Sequence, residues 1–287
     1  MTALGRRPRI LPARLRWPRF LRTRAGAIGL AMVTFVVFVA IFGPMLAPDP
    51  PDAPIGPPGH GPVAAAPLGT DYLGRDVFSR LLHGGWSLIA VTCVAVILTY
   101  ALGTAIGLTA GYMRGWVDSG LMRVADLFMA FPPLLLLLVL IVGAGSSDLT
   151  IVIGIVAVLA APLSRLVYSA TLEASSTVYV EAARVRGERR TAILVREILP
   201  NIVPYILASF GAYVSGAVIF TASLSFLGVG AQPPAADWGL MITENQPVLS
   251  SNPLALLAPA LMIGLITVGI NLMADAYSRC AGISGGI

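Results

Sequence analysis

The amino-acid sequence predicts an all-α membrane protein with six transmembrane helices and with both termini in the cytoplasm. The first observation is composition, since 56% of the 287 residues are hydrophobic and only 11% are charged, against about a quarter charged in an ordinary soluble domain. The second is spacing, because long charge-free tracts alternate with short charged clusters. The third is the one-sided distribution of the arginines. A water-soluble fold could not bury so much apolar surface, so hydrocarbon is the predicted solvent for most of the chain.

Six charge-poor intervals can each hold a helix of about 20 residues, the length that crosses the hydrocarbon core. We place these spans at residues 25–47, 88–112, 124–145, 149–168, 201–222 and 253–276. The segments between and beyond them are predicted to be an Arg-rich tail (1–24), an external Pro/Gly-rich loop with a short helix (48–87), a cytoplasmic loop (169–200), an external loop (223–252) and a cytoplasmic tail (277–287).

The arginines set the predicted orientation. All 19 basic residues are arginine, and cytoplasmic loops retain positive charge. With the N-terminal tail inside, only Arg75 and Arg80 fall on the external side and the other 17 of the 19 fall on the cytoplasmic side. The tail also interleaves arginines with Trp17 and Phe20, which predicts contact with membrane lipid at the inner leaflet.

Several classes of function are disfavoured by residues that the chain lacks. It has no lysine, so it cannot contain a phosphate-binding loop of the G-x-x-x-x-G-K-[ST] kind, and any ATP must be hydrolysed by another chain. The two cysteines, Cys93 and Cys280, and the two histidines, His60 and His83, do not have the spacing of a metal site or a catalytic site. We therefore predict no catalytic and no metal-binding residue.

Three spacings predict helix packing and helix ends. Gly103, Gly107 and Gly111 recur every four residues, which aligns a stripe without side chains where another helix can approach closely. Asp76 and Arg80 have the i,i+4 spacing that supports a short helix, for which we expect solvated ion pairs. Arg123 and Asp126, three residues apart, are likewise expected to pair, but at the inner end of the third span.

The longest cytoplasmic loop has its own pattern. It is predicted to form two short helices interrupted at Gly187, because glycine readily adopts the left-handed conformation that ends a helix. Pro200 is expected to mark the turn into the fifth span. One face of the second helix is predicted to be apolar, formed by Leu194, Val195, Ile198 and Leu199. Such a face outside the hydrocarbon either lies on the bilayer or docks into a groove of a partner protein.

At this loop the residues resemble a known motif. Glu181-Ala182-Ala183, then Gly187, then a run that ends in Ile198-Leu199-Pro200 resembles the EAA motif of the transmembrane subunits of bacterial ABC importers, which docks on the ATPase subunit. Glu197 stands where the general motif has isoleucine.

The resemblance covers nearly the whole chain after the tail. The segments LGTDYLGRDVFSRLLHG (68–84), AGYMRGWVDSGLMRVADLFMAFP (110–132) and ASLSFLGVGAQPPAADWGLMI (222–242) are similar to segments of the dipeptide, oligopeptide and nickel importer permeases. They resemble in particular the second of the two paralogous permeases, which carries a long Pro-rich first external loop.

This resemblance implies a fold, a location and a set of partners. The expected fold is that of the type I ABC importer permeases, spanning the bacterial cytoplasmic (inner) membrane several times. The implied partners are a paralogous permease that completes a heterodimer, two cytoplasmic ABC ATPases and an external substrate-binding protein, with no nucleic acid. No cofactor is expected in this chain, since ATP and Mg would be held by the ATPases.

The resemblance also implies roles for particular residues. The ATPase-coupling residues would be Glu181, Ala182, Ala183, Gly187, Leu194, Ile198, Leu199 and Pro200. An external gate, or a contact with the binding protein, would be formed by Gln232, Pro233, Asp237 and Trp238. A Pro-rich re-entrant plug is the alternative interpretation of that external segment.

The function predicted is therefore a permease subunit that imports dipeptides or oligopeptides, coupled to ATP hydrolysis by partner chains. The same machine importing nickel or another small solute is an alternative. An ion-coupled secondary transporter would need ionisable residues near the middle of the membrane and often an inverted repeat, and the sequence shows neither. A membrane scaffold without transport would leave the EAA-like loop unexplained.

Overall fold

A computed structural model describes residues 23–281, and this part of the chain contains helices and no β-strand. The Arg-rich tail and its predicted lipid contact fall at residues 1–22, outside the described residues, as do residues 282–287 of the other tail. The helices are α1 (Arg24–Leu46), α2 (Val77–His83), α3 (Gly85–Met113), α4 (Trp116–Met129), α5 (Pro133–Ala144), α6 (Asp148–Ser175), α7 (Val178–Val185), α8 (Arg190–Ala208), α9 (Phe210–Phe226), α10 (Trp238–Glu244) and α11 (Leu254–Ala281).

Within the described residues, five helical segments are long and apolar enough to cross a membrane, and the bent pair α4–α5 raises the number to six. Helices α1, α3, α6 and α11 occupy four of the predicted spans. The predicted span 201–222 falls on the second half of α8 and on most of α9, which are separated at Ser209. Helix α6 continues to Ser175, beyond its predicted end at residue 168.

The predicted span 124–145 is not a single continuous helix in the structure. Helices α4 and α5 meet at an angle of 91°, with the break at residues 130–132. Pro132 and Pro133 lack the N–H group that a continuing helix needs, and a proline also disfavours the helical conformation of the residue before it. Helix α5 has 12 residues, about 18 Å of length, so it cannot alone cross a core about 30 Å thick.

Close approaches of backbone hold the long helices together. Helix α1 lies against α11, where a Cβ atom on Gly29 would lie 2.6 Å from the carbonyl oxygen of Gly269. Helix α3 packs against α6 along much of its length. Contacts this short require residues without a side chain, as is usual where helices pack inside a membrane.

The connections gather at two opposite ends of the bundle. At one end, which we call the loop end, residues 47–84 pack with residues 227–253; for example, the side-chain amide of Asn252 donates to the carbonyl oxygen of Leu68 at 2.9 Å. At the other, the coupling end, Arg114 after α3 donates to the Ser175 hydroxyl at 3.4 Å, and α7 and the start of α8 follow. The arginine distribution predicts that the coupling end is cytoplasmic.

Candidate functional site

Helix α7 carries the Glu-Ala-Ala residues and is apolar on two sides. Its inner side packs against the bundle through Val180 and Ala183, both fully buried. Its outer side exposes Val178 and Val185, which retain 81% and 85% of their maximal solvent-accessible surface. Ala182, also exposed, lies between them. The spacing 178, 182, 185 places these three on one helical face. Exposed valines outside the hydrocarbon favour a covering partner, because covering them removes apolar surface from water.

The inner side of the loop belongs to a core that it shares with the long helices. That core joins Val180 and Ala183 of α7 to residues of α3, α6 and α8, namely Leu108, Leu163, Val167, Ala174, Ile193, Ile198, Ile202 and Ile206. The loop is therefore anchored on three helices of the bundle.

Gly187 ends α7 in the manner expected from sequence. Its φ is +74°, in the region where residues with a Cβ atom are strained. The Glu188 N–H donates to the Ala183 carbonyl at 3.2 Å, and the Gly187 N–H donates to the Arg184 carbonyl at 3.0 Å. These two bonds form a Schellman motif, which satisfies carbonyl groups that the helix end would leave unpaired.

The second helix of the loop differs from the prediction in register and in length. Residues Ile193–Ile198 form a π-helical stretch, in which the Leu199 N–H donates to the carbonyl of Leu194, five residues earlier. The wider turn buries Ile193 together with Ile198, whereas Val195 is exposed and Leu194 is half-buried. The predicted face of Leu194, Val195, Ile198 and Leu199 is therefore wrong in part. An ordinary α-helix would place residues 194 and 195 on the same face as Ile198, whereas the π turn places residue 193 there.

Pro200 does not mark a turn of the chain. Helix α8 runs without interruption from Arg190 to Ala208, and Pro200, itself exposed, lies within it. As a proline it cannot donate to the carbonyl of Arg196, and the π turn immediately precedes it. The interruption that was predicted at Pro200 occurs instead at Ser209, between α8 and α9.

The charges around Gly187 are partly neutralised within the loop. Arg186 donates to the Glu188 carboxylate at 2.7 and 3.0 Å and lies 3.9 Å from Glu197. Arg184 stacks on the ring of Tyr112 of α3, 4.9 Å from its centroid. Glu181 is exposed and available to a partner. Farther along α4, Asp126 pairs with Arg165 of α6 rather than with Arg123 as expected.

The glycine stripe of α3 faces α6. A Cβ atom on Gly107 would lie 2.6 Å from the Ser164 carbonyl oxygen, and one on Gly111 would lie 2.7 Å from Cβ of Thr171. At Gly103 the nearest atoms, 3.0 Å away, belong to Leu163. The stripe therefore sets the separation between α3 and α6, the helix that leads into α7.

Two of the four residues assigned to an external gate are interior. Gln232 and Pro233 are exposed, but Asp237 and Trp238 are buried and cannot contact a partner in this conformation. Asp237 caps α10 by accepting from the N–H groups of Gly239 and Leu240 at 3.0 and 3.1 Å. The Trp238 indole N–H donates to the Leu81 carbonyl at 2.8 Å. Helix α10, which we call the plug, packs against both α9 and α11, and the Trp238 bond joins its first turn to α2.

A buried charge cluster at the loop end was missed by the sequence reasoning. Arg80 is fully buried and lies 2.9 Å from Glu244 and 3.5 Å from Asp71. Arg75 lies 2.6 Å from Asp71 and 3.2 Å from Glu244. The prediction of solvated ion pairs near α2 is thus wrong, and Asp76 caps α2 instead of pairing with Arg80. The signal in the sequence was that Arg75 and Arg80 are the two arginines predicted to lie outside.

The cluster, which we call the clasp (Asp71, Arg75, Arg80 and Glu244), joins the long loop to α10. Arg80 also donates to the backbone carbonyls of Pro51, Pro234 and Ala235 at 3.0 to 3.4 Å. Tyr72 donates its hydroxyl to Glu244 at 3.2 Å, and burial together with the nearby Glu244 charge raises the pKa of this tyrosine. Two positive and two negative groups balance, which is how buried charges are tolerated.

Sequence models of two families match the chain. One, described as the binding-protein-dependent transport system inner membrane component, matches residues 103–280. The other, described as the N-terminal TM domain of oligopeptide transport permease C, matches residues 12–60.

Curated relatives align over almost the full length. A glutathione transport system permease protein GsiD from Pectobacterium atrosepticum is 36% identical over 268 residues, covering 92% of this chain and 88% of the relative. The protein of the same name from Escherichia coli O6:K15:H31 is 35% identical, covering 95% of this chain and 93% of the relative.

Solved structures share the fold at lower identity. An inward-facing conformation of the MetNI methionine ABC transporter superposes with a TM-score of 0.58 at 18% identity, covering 70% of this chain and 96% of that chain. A second crystal form of it gives a TM-score of 0.55 at 19% identity, covering 69% and 96%.

Proposed function

The chain belongs to the family of binding-protein-dependent transport system inner membrane components, with the fold of the type I ABC importer permeases, and on this basis we propose that it imports dipeptides or oligopeptides. It is a permease subunit of an ABC importer, located in the bacterial inner membrane. Within that role, the solute, the partner set and the coupling residues are what we propose.

Peptides are favoured as the solute by the relatives. The curated relatives are named for glutathione transport, and glutathione is a tripeptide. The match of residues 12–60 to a model named for an oligopeptide permease points to the same class. Nickel or another small solute, carried by the same machine, is the alternative.

The partners that we propose are a paralogous permease, two cytoplasmic ATPases that hold ATP and Mg, and an external substrate-binding protein. The observation that carries the ATPase contact is the exposed apolar face of α7, formed by Val178, Ala182 and Val185. A groove on an ATPase would cover this face, while the opposite face stays packed on the bundle through Val180 and Ala183.

Coupling follows from how α7 is attached. When the ATPases close on ATP, α7 moves with them, and its shared core with α3, α6 and α8 carries the motion into the bundle as a rigid displacement. Helix α8 is continuous from the loop into the membrane. The displacement therefore reaches α9 and the plug formed by α10, which would open or close the pathway at the loop end.

The ATPase contact is tested by changing the exposed face alone. We expect Val185→Asp to reduce co-purification of the ATPases by roughly tenfold or more, because an anchor at the centre of an interface contributes about 2 kcal/mol or more and about 1.4 kcal/mol corresponds to tenfold. The amount of permease in the membrane should not change, since Val185 makes no core contact. Leu73→Asp, also at an exposed apolar residue but at the loop end, is the matched control and should keep the ATPases bound. Full retention of the ATPases by Val185→Asp would contradict the proposal.

The solute is tested on the external binding protein purified with the complex. Mass spectrometry of its released ligand should find peptides of two or more residues. Nickel or a non-peptide solute as the main ligand would select the alternative, without affecting the assignment of the ATPase contact.

A further inference from the structure

A recess of about 430 Å³ lies at the coupling end, between the end of α3 and the α7–α8 loop. Three guanidinium groups line it, those of Arg114, Arg184 and Arg190, together with Tyr112 and Glu188. The lining joins the end of α3 to the α7–α8 loop, about 70 residues later in the chain, so the fold assembles this concentration of positive charge.

The three arginines have no carboxylate partner within the described residues. The one acid in the lining, Glu188, is engaged by Arg186 at 2.7 Å. Arg184 stacks on Tyr112, and the guanidinium of Arg114 donates to the Ser175 hydroxyl. The recess therefore carries an excess of positive charge that a bound anion would balance.

Arg114 is held at this position by an unusual backbone. Its φ of +51° is the one positive φ among the described residues other than glycine. With its ψ of 178°, this backbone lies outside the left-handed helical region, in a conformation otherwise confined to glycine that costs about 1 to 3 kcal/mol. A residue kept in a strained conformation at a charged recess suggests a binding role.

The depth of the recess matches the lipid headgroups. From Trp86 to Met113, α3 covers about 40 Å, close to the thickness of a bilayer with its headgroups, about 40 to 45 Å. Trp86 and Trp116, at 58% and 86% exposure, lie at the two limits, where tryptophans gather at membrane interfaces. The recess residues Tyr112 and Arg114 adjoin Trp116, and exposed Met113 offers apolar surface beside them.

The recess also lies away from the exposed face of α7. Arg184 is about 120° around the helix from the centre of the Val178, Ala182 and Val185 face, and its guanidinium is turned towards α3. An ATPase seated on the valines would therefore approach from a different side. Helix α3 also exposes apolar side chains, among them Ile97, Leu102 and Met113, along which the acyl chains of a lipid could lie with its headgroup at the recess.

We propose that this recess binds the phosphate headgroup of an anionic phospholipid of the inner leaflet, which bridges the end of α3 and the α7–α8 loop. Arg114 would hold it from α3, and Arg184 and Arg190 from the loop. The inference goes beyond the import function and does not rest on it.

The test uses the complete complex, purified and equilibrated with equal amounts of phosphatidylglycerol and phosphatidylcholine. Bound lipid is counted by native mass spectrometry. The complex with Arg114→Gln, Arg184→Gln and Arg190→Gln should lose at least about tenfold of its bound phosphatidylglycerol, since each arginine at an anionic surface contributes about fivefold. A complex with Arg123→Gln, Arg189→Gln and Arg196→Gln changes three exposed arginines, none of which lines the recess, and should keep its bound phosphatidylglycerol.

Replacing the three recess arginines by lysine separates charge from folding, because lysine also binds phosphate as a point charge. This variant should retain phosphatidylglycerol. Equal lipid loss in both glutamine triples, or no loss in the recess triple, would overturn the proposal. The proposal would also be overturned if inorganic phosphate, added to the complex after its lipid is removed, bound saturably and more tightly than phosphatidylglycerol does. Loss of the ATPases from the recess triple with its lipid retained would assign the recess to a partner protein and would also overturn it.

Discussion

At the scale of single residues, Gly187 is the position where backbone conformation bears most directly on coupling. Its φ is +74°, and no atom lies within 4 Å of where a Cβ would be placed. A side chain would therefore meet no steric obstacle, and only the backbone conformation selects glycine. Proline, whose φ is held near about −65°, cannot adopt this conformation.

We expect Gly187→Pro to abolish ATP-dependent uptake in proteoliposomes while the protein still inserts, because the Schellman motif that orients α7 to α8 would be lost. Gly187→Ala should cost about 1 to 2 kcal/mol and reduce uptake in part. Gly187→Asn is the matched control, since asparagine tolerates the left-handed conformation. Normal uptake by the proline variant would count strongly against a coupling role for this loop.

Asp237 is a buried helix cap whose charge opposes its burial. Desolvation raises its pKa above the ordinary value of 3.8, although the N–H groups of Leu240 and Gly239 lower it in part. Because the folded state binds the proton more tightly than the unfolded state does, the associated stabilisation is present at low pH. It is lost as pH rises through the raised pKa.

Asp237→Asn keeps a capping side chain and removes the charge. Near neutral pH it should therefore lower the free energy of unfolding by no more than about 0.5 kcal/mol, and an increase is also consistent with this role. Asp237→Ala should cost about 1 to 2 kcal/mol. Thermal unfolding of the detergent-solubilised protein, from acidic to neutral pH, measures both. The pH dependence should weaken in Asp237→Asn and not in the exposed control Asp52→Asn. An unchanged pH dependence would show that Asp237 is not the titrating group.

At the scale of helices, the glycine stripe determines how closely α3 approaches α6. A Cβ on Gly107 would overlap both the Ser164 carbonyl and Cβ of Val167, each 2.6 Å away. Gly264 of α11 is the natural comparison, because nothing lies within 4 Å of its Cβ position although it too is within a membrane helix.

We expect Gly107→Ala to destabilise the protein by about 1 to 3 kcal/mol, as overpacking does, and to lower its midpoint of thermal unfolding in detergent. Gly264→Ala should leave the midpoint unchanged within error. Equal midpoints for the two variants would contradict this prediction, because they would show that α3 and α6 can separate without cost.

The π turn in α8 shows why the buried face of a helix cannot always be predicted from sequence periodicity. Buried Ile198, Ile202 and Ile206 follow a four-residue spacing, and extending that spacing backwards selects Leu194. The structure buries Ile193 instead, because one extra residue is accommodated in the wider turn. Hydropathy contains no signal for that insertion, and π turns are frequent at functional sites.

At the scale of the whole molecule, the clasp connects the loop end across 173 positions of sequence, from Asp71 to Glu244. We expect Glu244→Ala to cost about 3 to 5 kcal/mol, because it leaves two buried arginines facing a single carboxylate. Hydrogen exchange should accelerate in residues 48–76 and not in α7. The control Glu173→Ala removes an exposed acid at the coupling end, and it should change neither the free energy of unfolding nor the hydrogen exchange of residues 48–76. Unchanged exchange at the loop end would show that backbone contacts suffice to hold it.

The sequence predicts those features that depend on neighbouring residues in the chain or on contact with hydrocarbon. Charge-free length placed four of the predicted spans on the long helices α1, α3, α6 and α11, and glycine chemistry located the end of α7 at Gly187. What could not be predicted depends on distant partners: Asp237 and Trp238 lie in a segment predicted to be an external loop, yet they are buried by α2 and α9. Arg80 likewise has the signature of a solvated helix residue until Glu244 is brought beside it. Pro132 and Pro133 did carry a local signal, which the hydropathy of the flanking tract outweighed.

The clasp has a consequence for how the two ends of the molecule respond to ionic strength. Its four charges are almost without solvent contact, so dissolved salt screens them little. The Arg186–Glu188 pair at the coupling end is exposed, with 56% and 29% of the side chains accessible, and salt weakens such pairs. In the orientation that the arginine distribution predicts, the loop end faces the surroundings of the cell and would keep its shape when their salinity changes, whereas the coupling end faces a cytosol of regulated composition.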